Sequence, residues 1–190
     1  EETDFTYIST LLLSDNTSLV PKELSAKMKD CEIAKFNHEY DIAVLKTTLF
    51  ETKNFFVKTG IDFIYSAFHI LNKHIEKNIC KNEFLALIYN DKAYILILNS
   101  QGIIKENKIV DLPSYQTVKS THFYDDDLEA QKLFNEIYDF ELNTIIQNSL
   151  ADFYSKNKNT FVEKITLLYT QKQLENSSIE KLSNELLLKI

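Results

Sequence analysis

The side chains of this 190-residue sequence that could do chemistry are few and widely separated. Six residues could ligate a metal through nitrogen or sulfur: His38, His69, His74, His122, Cys31 and Cys80. His69 and His74 are five residues apart, so on a helix they diverge instead of sharing one face. The Cys31–His38 and His74–Cys80 spacings are also not those of zinc sites. We therefore predict no metal site.

The spacing of residues also does not indicate a site for acid–base or nucleophilic catalysis. A nucleophile elbow of the form Gly-x-Ser-x-Gly cannot be written, because Gly60 and Gly102 are the only two glycines. The run Asp125 to Asp127 could bind a divalent cation. However, Asp126 and Glu129 have capping-box spacing, and carboxylates near a helix start are favoured by the helix dipole. We interpret this run as a helix start and predict no catalytic residue.

The composition excludes several classes of function. The net charge is -7 and all 21 basic residues are Lys, interleaved with acidic residues, which argues against nucleic-acid binding. Two isolated glycines cannot form a glycine-rich phosphate loop, and without Arg there is no bidentate recognition of phosphate. The apolar runs are too short for a membrane span. Because the chain begins with Glu1 and not Met, we expect a fragment of a longer protein.

Hydrophobic periodicity predicts secondary structure in two stretches, residues 1–59 and residues 60–190. In the first stretch the pattern predicts a strand at Phe5–Leu13, a helix at Lys22–Lys29 and a strand at Tyr40–Lys46, while the segment Leu49–Lys58 is ambiguous. In the second it predicts a strand at Ile61–Tyr65, a helix at Ser66–Cys80, then strands at Phe84–Tyr89, Ala93–Leu98 and Ile103–Leu112. The pattern then predicts a polar loop (Ser114–Asp125), a helix to Tyr154, an interior strand (Val162–Tyr169) and a last helix capped by Ser177 and Glu180.

From Phe84 onward the predicted order is β-β-β-α-β-α, which indicates an α/β fold with a mixed sheet of the ribonuclease H-like, or actin-like, kind. Strand Ile103–Leu112 mixes charged and apolar residues, as an edge strand or a strand-addition surface would.

Three stretches, beginning at Gly60, Phe84 and Val162, give the region from Gly60 to Ile190 a distant resemblance to a known family. They are Gly-Ile-Asp-Phe-Ile-Tyr-Ser-Ala-Phe (Gly60–Phe68), Phe-Leu-Ala-Leu-Ile-Tyr-Asn-Asp-Lys-Ala-Tyr-Ile-Leu-Ile-Leu (Phe84–Leu98) and Val-Glu-Lys-Ile-Thr-Leu-Leu-Tyr-Thr (Val162–Thr170). This region resembles the second lobe of actin-like assembly proteins of type IV pilus and type II secretion systems, of the PilM or general secretion pathway protein L type. The resemblance implies a larger lobe over residues 60–190, preceded by a smaller α/β lobe over residues 1–59. In that family the second stretch corresponds to a phosphate hairpin and the third to a strand before a Gly-Gly adenosine loop.

The departures from the family pattern imply a degenerate nucleotide site. The hairpin has Asn90, Asp91 and Lys92 where active relatives have Asp followed by Gly, and no glycine allows close backbone approach to a phosphate. Thr170 and Gln171 stand where the Gly-Gly loop would be, with side chains in the path of a nucleotide. The resemblance therefore implies a non-catalytic scaffold without a cofactor. The alternative is a divergent actin-like nucleotide-binding protein or ATPase that binds ATP with magnesium.

The resemblance further implies a cytoplasmic protein of a bacterial pilus, secretion or DNA-uptake machine, and it leaves open a peripheral position at the inner membrane. Its expected partners are the tail of an inner-membrane assembly protein and an assembly ATPase. An aromatic cluster around Gly60 is either core between the lobes or a groove for such a tail. The residues we predict for partner binding are Phe55, Phe56, Phe63, Phe68 and Tyr89. An α/β domain of an unrelated interaction protein is a third interpretation.

Overall fold

The structure, a computed structural model, describes residues 6–12, 16–89, 91–122, 127–169, 176–186 and 190. The chain divides into two compact units, residues 1–78 and residues 79–190, and each is described by itself. The predicted boundary after residue 59 differs from this division by one strand and one helix. These elements belong to the first unit, where the Leu12 N–H donates to the Tyr65 carbonyl (2.8 Å) and the Thr17 and Ser66 hydroxyls share a hydrogen bond of 3.0 Å.

The first unit contains two small sheets. Its elements are β1 (Ser9–Leu11), β2 (Thr17–Pro21), α1 (Lys22–Ser25), β3 (Cys31–Lys35), β4 (Tyr40–Leu45), α2 (Lys46–Phe55), β5 (Phe63–Tyr65) and α3 (Ala67–Lys77). Strands β2, β4 and β3 form an antiparallel sheet in that order, and β1 pairs in parallel with β5. The sequence pattern did not predict β2 and β3, because β2 begins with two polar residues and β3 is mostly exposed. The ambiguous segment becomes α2.

The second unit is built on one four-stranded mixed sheet. Its elements are β6 (Glu83–Tyr89), β7 (Lys92–Leu98), β8 (Ile104–Asp111), α4 (Tyr115–His122), α5 (Asp127–Lys156), β9 (Lys164–Tyr169) and α6 (Asn176–Leu186). The strand order is β8-β7-β6-β9, with β6 parallel to β9 and the other pairs antiparallel. A mixed α/β fold was predicted, and it is confirmed.

Two predictions for this unit were wrong. The predicted loop Ser114–Asp125 contains α4: the Ser114 hydroxyl accepts the Thr117 N–H at 3.2 Å, and Val118 is buried among otherwise polar residues that concealed the periodicity. Strand β9 was predicted as an interior strand, but among the described residues it pairs with β6 alone. Its apolar composition reflects a face that packs on the core, and Leu167 and Leu168 are only partly buried. Among the described strands β8 lies at the edge of the sheet, which agrees with one of the two alternatives predicted for it.

The core of the second unit lies between the sheet and the 30-residue helix α5. Apart from the adjacent pair Ser149 and Leu150, the buried residues of α5 recur at steps of three and four: Ala130, Phe134, Tyr138, Leu142, Ile146, Ser149, Leu150 and Phe153. They meet alternate residues of β6 and β7, such as Phe84 and Ile95, as the period of a strand requires. Leu85 and Leu96, on the opposite face, are also fully buried. Each such side chain contributes about 1.5–3 kcal/mol to stability.

One buried polar group of this core has no partner among the described residues. The Tyr138 hydroxyl makes no hydrogen bond there although the residue is only 1% exposed. Burial, together with the charge of Asp139, raises the pKa of Tyr138 to about 12, so the phenol is neutral. An unpaired buried hydroxyl costs about 1–3 kcal/mol.

The change Tyr138→Phe should therefore raise the free energy of unfolding in urea by up to about 1 kcal/mol, because the ring remains while the unpaired hydroxyl is removed. Tyr154→Phe is the matched control, since the Tyr154 hydroxyl accepts the Val162 N–H at 3.3 Å. That variant should lose about 0.5–1 kcal/mol. A loss of stability in Tyr138→Phe equal to that in the control would contradict this description of the core.

Candidate functional site

Four ring side chains form a row on the surface of the first unit, which we call the aromatic ladder: Tyr7, Phe63, Tyr65 and His69. Neighbouring ring centroids lie 5.6 Å (Tyr7–Phe63), 6.1 Å (Phe63–Tyr65) and 5.8 Å (Tyr65–His69) apart. The Phe63 and Tyr65 rings are stacked at an interplanar angle of 19°. Tyr7, Phe63 and Tyr65 are 64%, 45% and 40% exposed, so the row presents apolar ring surface to solvent.

Strand pairing sets the order of the ladder. Phe63 and Tyr65 are two residues apart in β5, so their side chains leave the same face of the strand. The Ile8 N–H donates to the Asp62 carboxylate at 2.8 Å, and the Phe63 N–H donates to the Ile8 carbonyl at 3.2 Å. These bonds hold the segment that carries Tyr7 beside the start of β5.

The start of α3 fixes the last ring of the ladder. The Ser66 hydroxyl accepts the Phe68 N–H at 3.2 Å, while the Ser66 N–H donates to Nδ1 of His69 at 3.1 Å. This reciprocal capping box orients the imidazole against Tyr65. Burial lowers the pKa of His69, which keeps the ring neutral at pH 7 and leaves Nδ1 able to accept.

The structure distributes the five predicted partner-binding residues over different environments. Phe63 belongs to the aromatic ladder, and Phe55 is 73% exposed, in edge-to-face contact with Phe56 at 5.1 Å. The prediction that Phe68 binds a partner must be corrected. Its side chain is 0% exposed, because the first turn of α3 turns it inward, and it cannot contact a partner. Tyr89 ends β6 in the second unit and is partly buried.

Sequence reasoning did not assign Tyr7 to the site, and it weighed His69 only as a metal ligand. The parallel pairing of β1 with β5 brings Tyr7 to the row, and a pairing of strands so far apart in sequence leaves no local signal. The alternation of Phe63 and Tyr65 was a usable signal for a shared face.

Two of the five predicted nucleotide residues, Asp91 and Lys92, are described, and they lie at the β6–β7 turn. Asp91 is exposed there, and the Lys92 ammonium forms an ion pair with the Asp111 carboxylate of β8. A lysine already neutralised by a carboxylate is a weaker ligand for phosphate. Asn90, Thr170 and Gln171 lie outside the described residues.

A buried polar cluster lies at the start of β6 in the second unit. Glu83 is only 1% exposed and accepts a hydrogen bond from the Thr166 hydroxyl, and the Lys164 ammonium lies 3.3 Å from its carboxylate. Burial first, and then the charge and hydrogen bond of Glu83, raise the pKa of the Cys80 thiol to about 11, against the opposing charge of Lys164. The thiol therefore stays protonated at neutral pH and is a poor nucleophile.

The chain was compared with known protein families, curated proteins and solved structures. A domain family of unknown function (DUF8569) matches residues 1–72, and a search of curated proteins found no match. A solved chain of a "PilM-PilN type IV pilus biogenesis complex" superposes with a TM-score of 0.60 at 14% identity, covering 98% of this chain and 68% of that one. This likeness confirms, at the level of the fold, the distant resemblance to actin-like pilus assembly proteins.

A second solved structure is a Bacteroides thetaiotaomicron protein with actin-like ATPase fold and unknown function. Its TM-score is 0.46 at 13% identity, over 95% of this chain and 64% of that one. None of the helices in the described residues is both long enough and apolar enough to span a membrane.

The raised thiol pKa gives a direct test of the Cys80 environment. At pH 8 a thiol of pKa about 11 is ionised in about one molecule per thousand, and its alkylation rate should rise about tenfold per pH unit. We expect Cys31→Ser protein, whose remaining thiol is Cys80, to react slowly with iodoacetamide in this way. Cys80→Ser protein provides the comparison, because Cys31 is partly exposed. Rapid, pH-insensitive labelling of Cys80 in folded protein would show that the cluster is described wrongly.

Proposed function

We propose that this protein is a non-catalytic component of a bacterial pilus, secretion or DNA-uptake machine, and that it binds the cytoplasmic tail of an inner-membrane assembly protein. The observation that carries the proposal is the exposed aromatic ladder on a fold similar to a chain of the PilM–PilN complex. In this interpretation the protein acts on the cytoplasmic side of the membrane, held there by its partner.

The aromatic ladder suits an extended apolar segment. Rings are rigid and bury a large area at small entropic cost, which is why aromatic residues dominate the energetics of many interfaces. The centroid separation of 6.1 Å between Phe63 and Tyr65 is close to the distance of about 6.6 Å between alternate side chains of an extended peptide. Alternate apolar side chains of a tail could therefore each lie against one ring. We assign no surface to an assembly ATPase.

The second candidate, a divergent nucleotide-binding protein or ATPase, has less support. Lys92 would contact the phosphates and Asp91 would hold the magnesium ion, yet Lys92 is paired with Asp111 and no glycine lies in the turn. Polyphosphate cradles rely on backbone N–H groups that approach closely, which glycine permits. We therefore propose that the protein works without a nucleotide cofactor.

Peptide binding tests the proposal. The probes are synthetic peptides covering the cytoplasmic tails of the single-span inner-membrane proteins encoded beside this gene, titrated by calorimetry. We expect one peptide to bind and the double variant Phe63→Ser, Tyr65→Ser to weaken it at least tenfold, because truncated aromatic anchors commonly cost more than about 1–2 kcal/mol. Phe161→Ser is the control, since Phe161 is 68% exposed but lies in the second unit.

Circular dichroism and the thermal midpoint must show that the double variant remains folded. Equal binding by the parent and the double variant would move the contact surface away from the aromatic ladder. Failure of every tail peptide to bind the parent would overturn the proposed function.

A further inference from the structure

Helix α2 in the first unit combines two buried threonines and a partly buried Leu49 with an exposed phenylalanine. Thr48 and Thr52 face inward and are 0% and 1% exposed, while Phe50 on the other side is 66% exposed. The Thr52 hydroxyl bonds to the Thr48 carbonyl at 2.8 Å, and the Thr48 hydroxyl has no partner among the described residues. A surface helix normally turns its apolar side inward. Here a large apolar ring is held in solvent at the cost of burying hydroxyls.

The outward side of α2 is a stripe of alternating basic and apolar residues, which we call the Lys–Phe stripe: Lys46, Phe50, Lys53 and Val57. Their spacings of four, three and four place them on one side of a helix. Val57 follows the last residue of α2, but its N–H donates to the Asn54 carbonyl at 3.2 Å, which continues the helical turn. Val57 is 76% exposed, and the adjacent Phe55 is 73% exposed.

The charge around this stripe is opposite to that of the whole chain. Lys46, Lys53 and Lys58 are all exposed, with Glu51 as the one acidic residue in the same segment, whereas the chain as a whole carries -7. Another equally prominent ring, Phe140 of α5, is 68% exposed but stands between Asp139 and Glu141. Exposed apolar groups and basic groups therefore coincide on α2 and not on α5.

We infer that the Lys–Phe stripe is a membrane-contact surface that binds anionic phospholipid headgroups. Short amphipathic segments lie at the bilayer interface when apolar side chains enter the acyl boundary and Lys ammonium groups meet anionic headgroups. Long Lys stems can lie along the apolar region while the ammonium stays with the headgroups. The acidic remainder of the chain is repelled by the same lipids, which orients the protein with α2 toward the bilayer. This contact requires no protein partner and is separate from the aromatic ladder.

Vesicle sedimentation tests the inference with the unmodified chain as the reference. The probes are vesicles in which about 30% of the lipid is anionic phosphatidylglycerol and the rest is phosphatidylcholine, which imitates an anionic membrane leaflet. Vesicles of phosphatidylcholine alone are the comparison. We expect binding to the anionic vesicles only, lost as salt rises from about 0.05 to about 0.5 M because screening shortens the range of the attraction. The change Lys46→Gln with Lys53→Gln should weaken it by roughly fivefold per lysine.

The matched pair of apolar variants separates insertion from simple charge attraction. Phe50→Ser with Val57→Ser should reduce binding at least tenfold, while Phe140→Ser should leave it unchanged. All variants are checked for folding by circular dichroism and for tail-peptide binding, which should be retained because the aromatic ladder is untouched. Equal sedimentation with both lipid compositions, no sedimentation at low salt, or an equal loss in Phe140→Ser would overturn the inference. Loss of peptide binding in the stripe variants would show that α2 contacts a protein instead.

Discussion

The fold of the second unit depends on the burial of the β6–β7 hairpin on both faces. Phe84 and Ile95 on one face and Leu85 and Leu96 on the other are almost completely removed from water. Backbone N–H and C=O groups in such surroundings must be paired, which the register of β6 with both β7 and β9 achieves. Helix α5 covers one face of this sheet, and its ring and aliphatic side chains recur at the steps that keep one side on the sheet.

The buried hairpin stabilises the second unit, whereas the surfaces that we propose for binding belong to the first unit. A hairpin packed on both faces, with an ion pair from Lys92 to Asp111 beside its turn, is a rigid support. The cluster of Glu83 and Thr166 ties the other end of β6 to β9, and the raised pKa of Cys80 there keeps a thiol inert. The exposed rings of the aromatic ladder and of α2 both belong to the first unit, whereas this hairpin belongs to the second.

The sequence predicted the parts of the fold in which one physical requirement dominates. Strands β6, β7 and β8 and helix α5 were found because burial imposes a clear period on long segments. Helix α4 was missed because its start depends on the Ser114 cap and its inner side is little more than Tyr115 and Val118. Strand β9 was misplaced because an edge strand packed on a core carries the same apolar residues as an interior one.

The candidate site was harder to predict, because exposure follows from tertiary packing and not from residue type. Phe63 and Phe68 look alike in sequence, yet one is 45% exposed and the other 0%. Tyr7 joins the aromatic ladder through a parallel pairing across more than fifty residues, for which no local pattern exists. The distant resemblance pointed to the right fold, since element order survives after individual residues have changed.

We propose that this protein acts by binding and not through nucleotide chemistry, and a thermal-shift titration with ATP and magnesium tests this proposal most directly. A ligand that binds only the folded state stabilises it by about 2.7 kcal/mol at a hundred times its dissociation constant. We predict an unchanged unfolding midpoint up to millimolar ATP. A clear rise in the midpoint that disappears in Asp91→Ala would contradict the account and restore the nucleotide-binding interpretation.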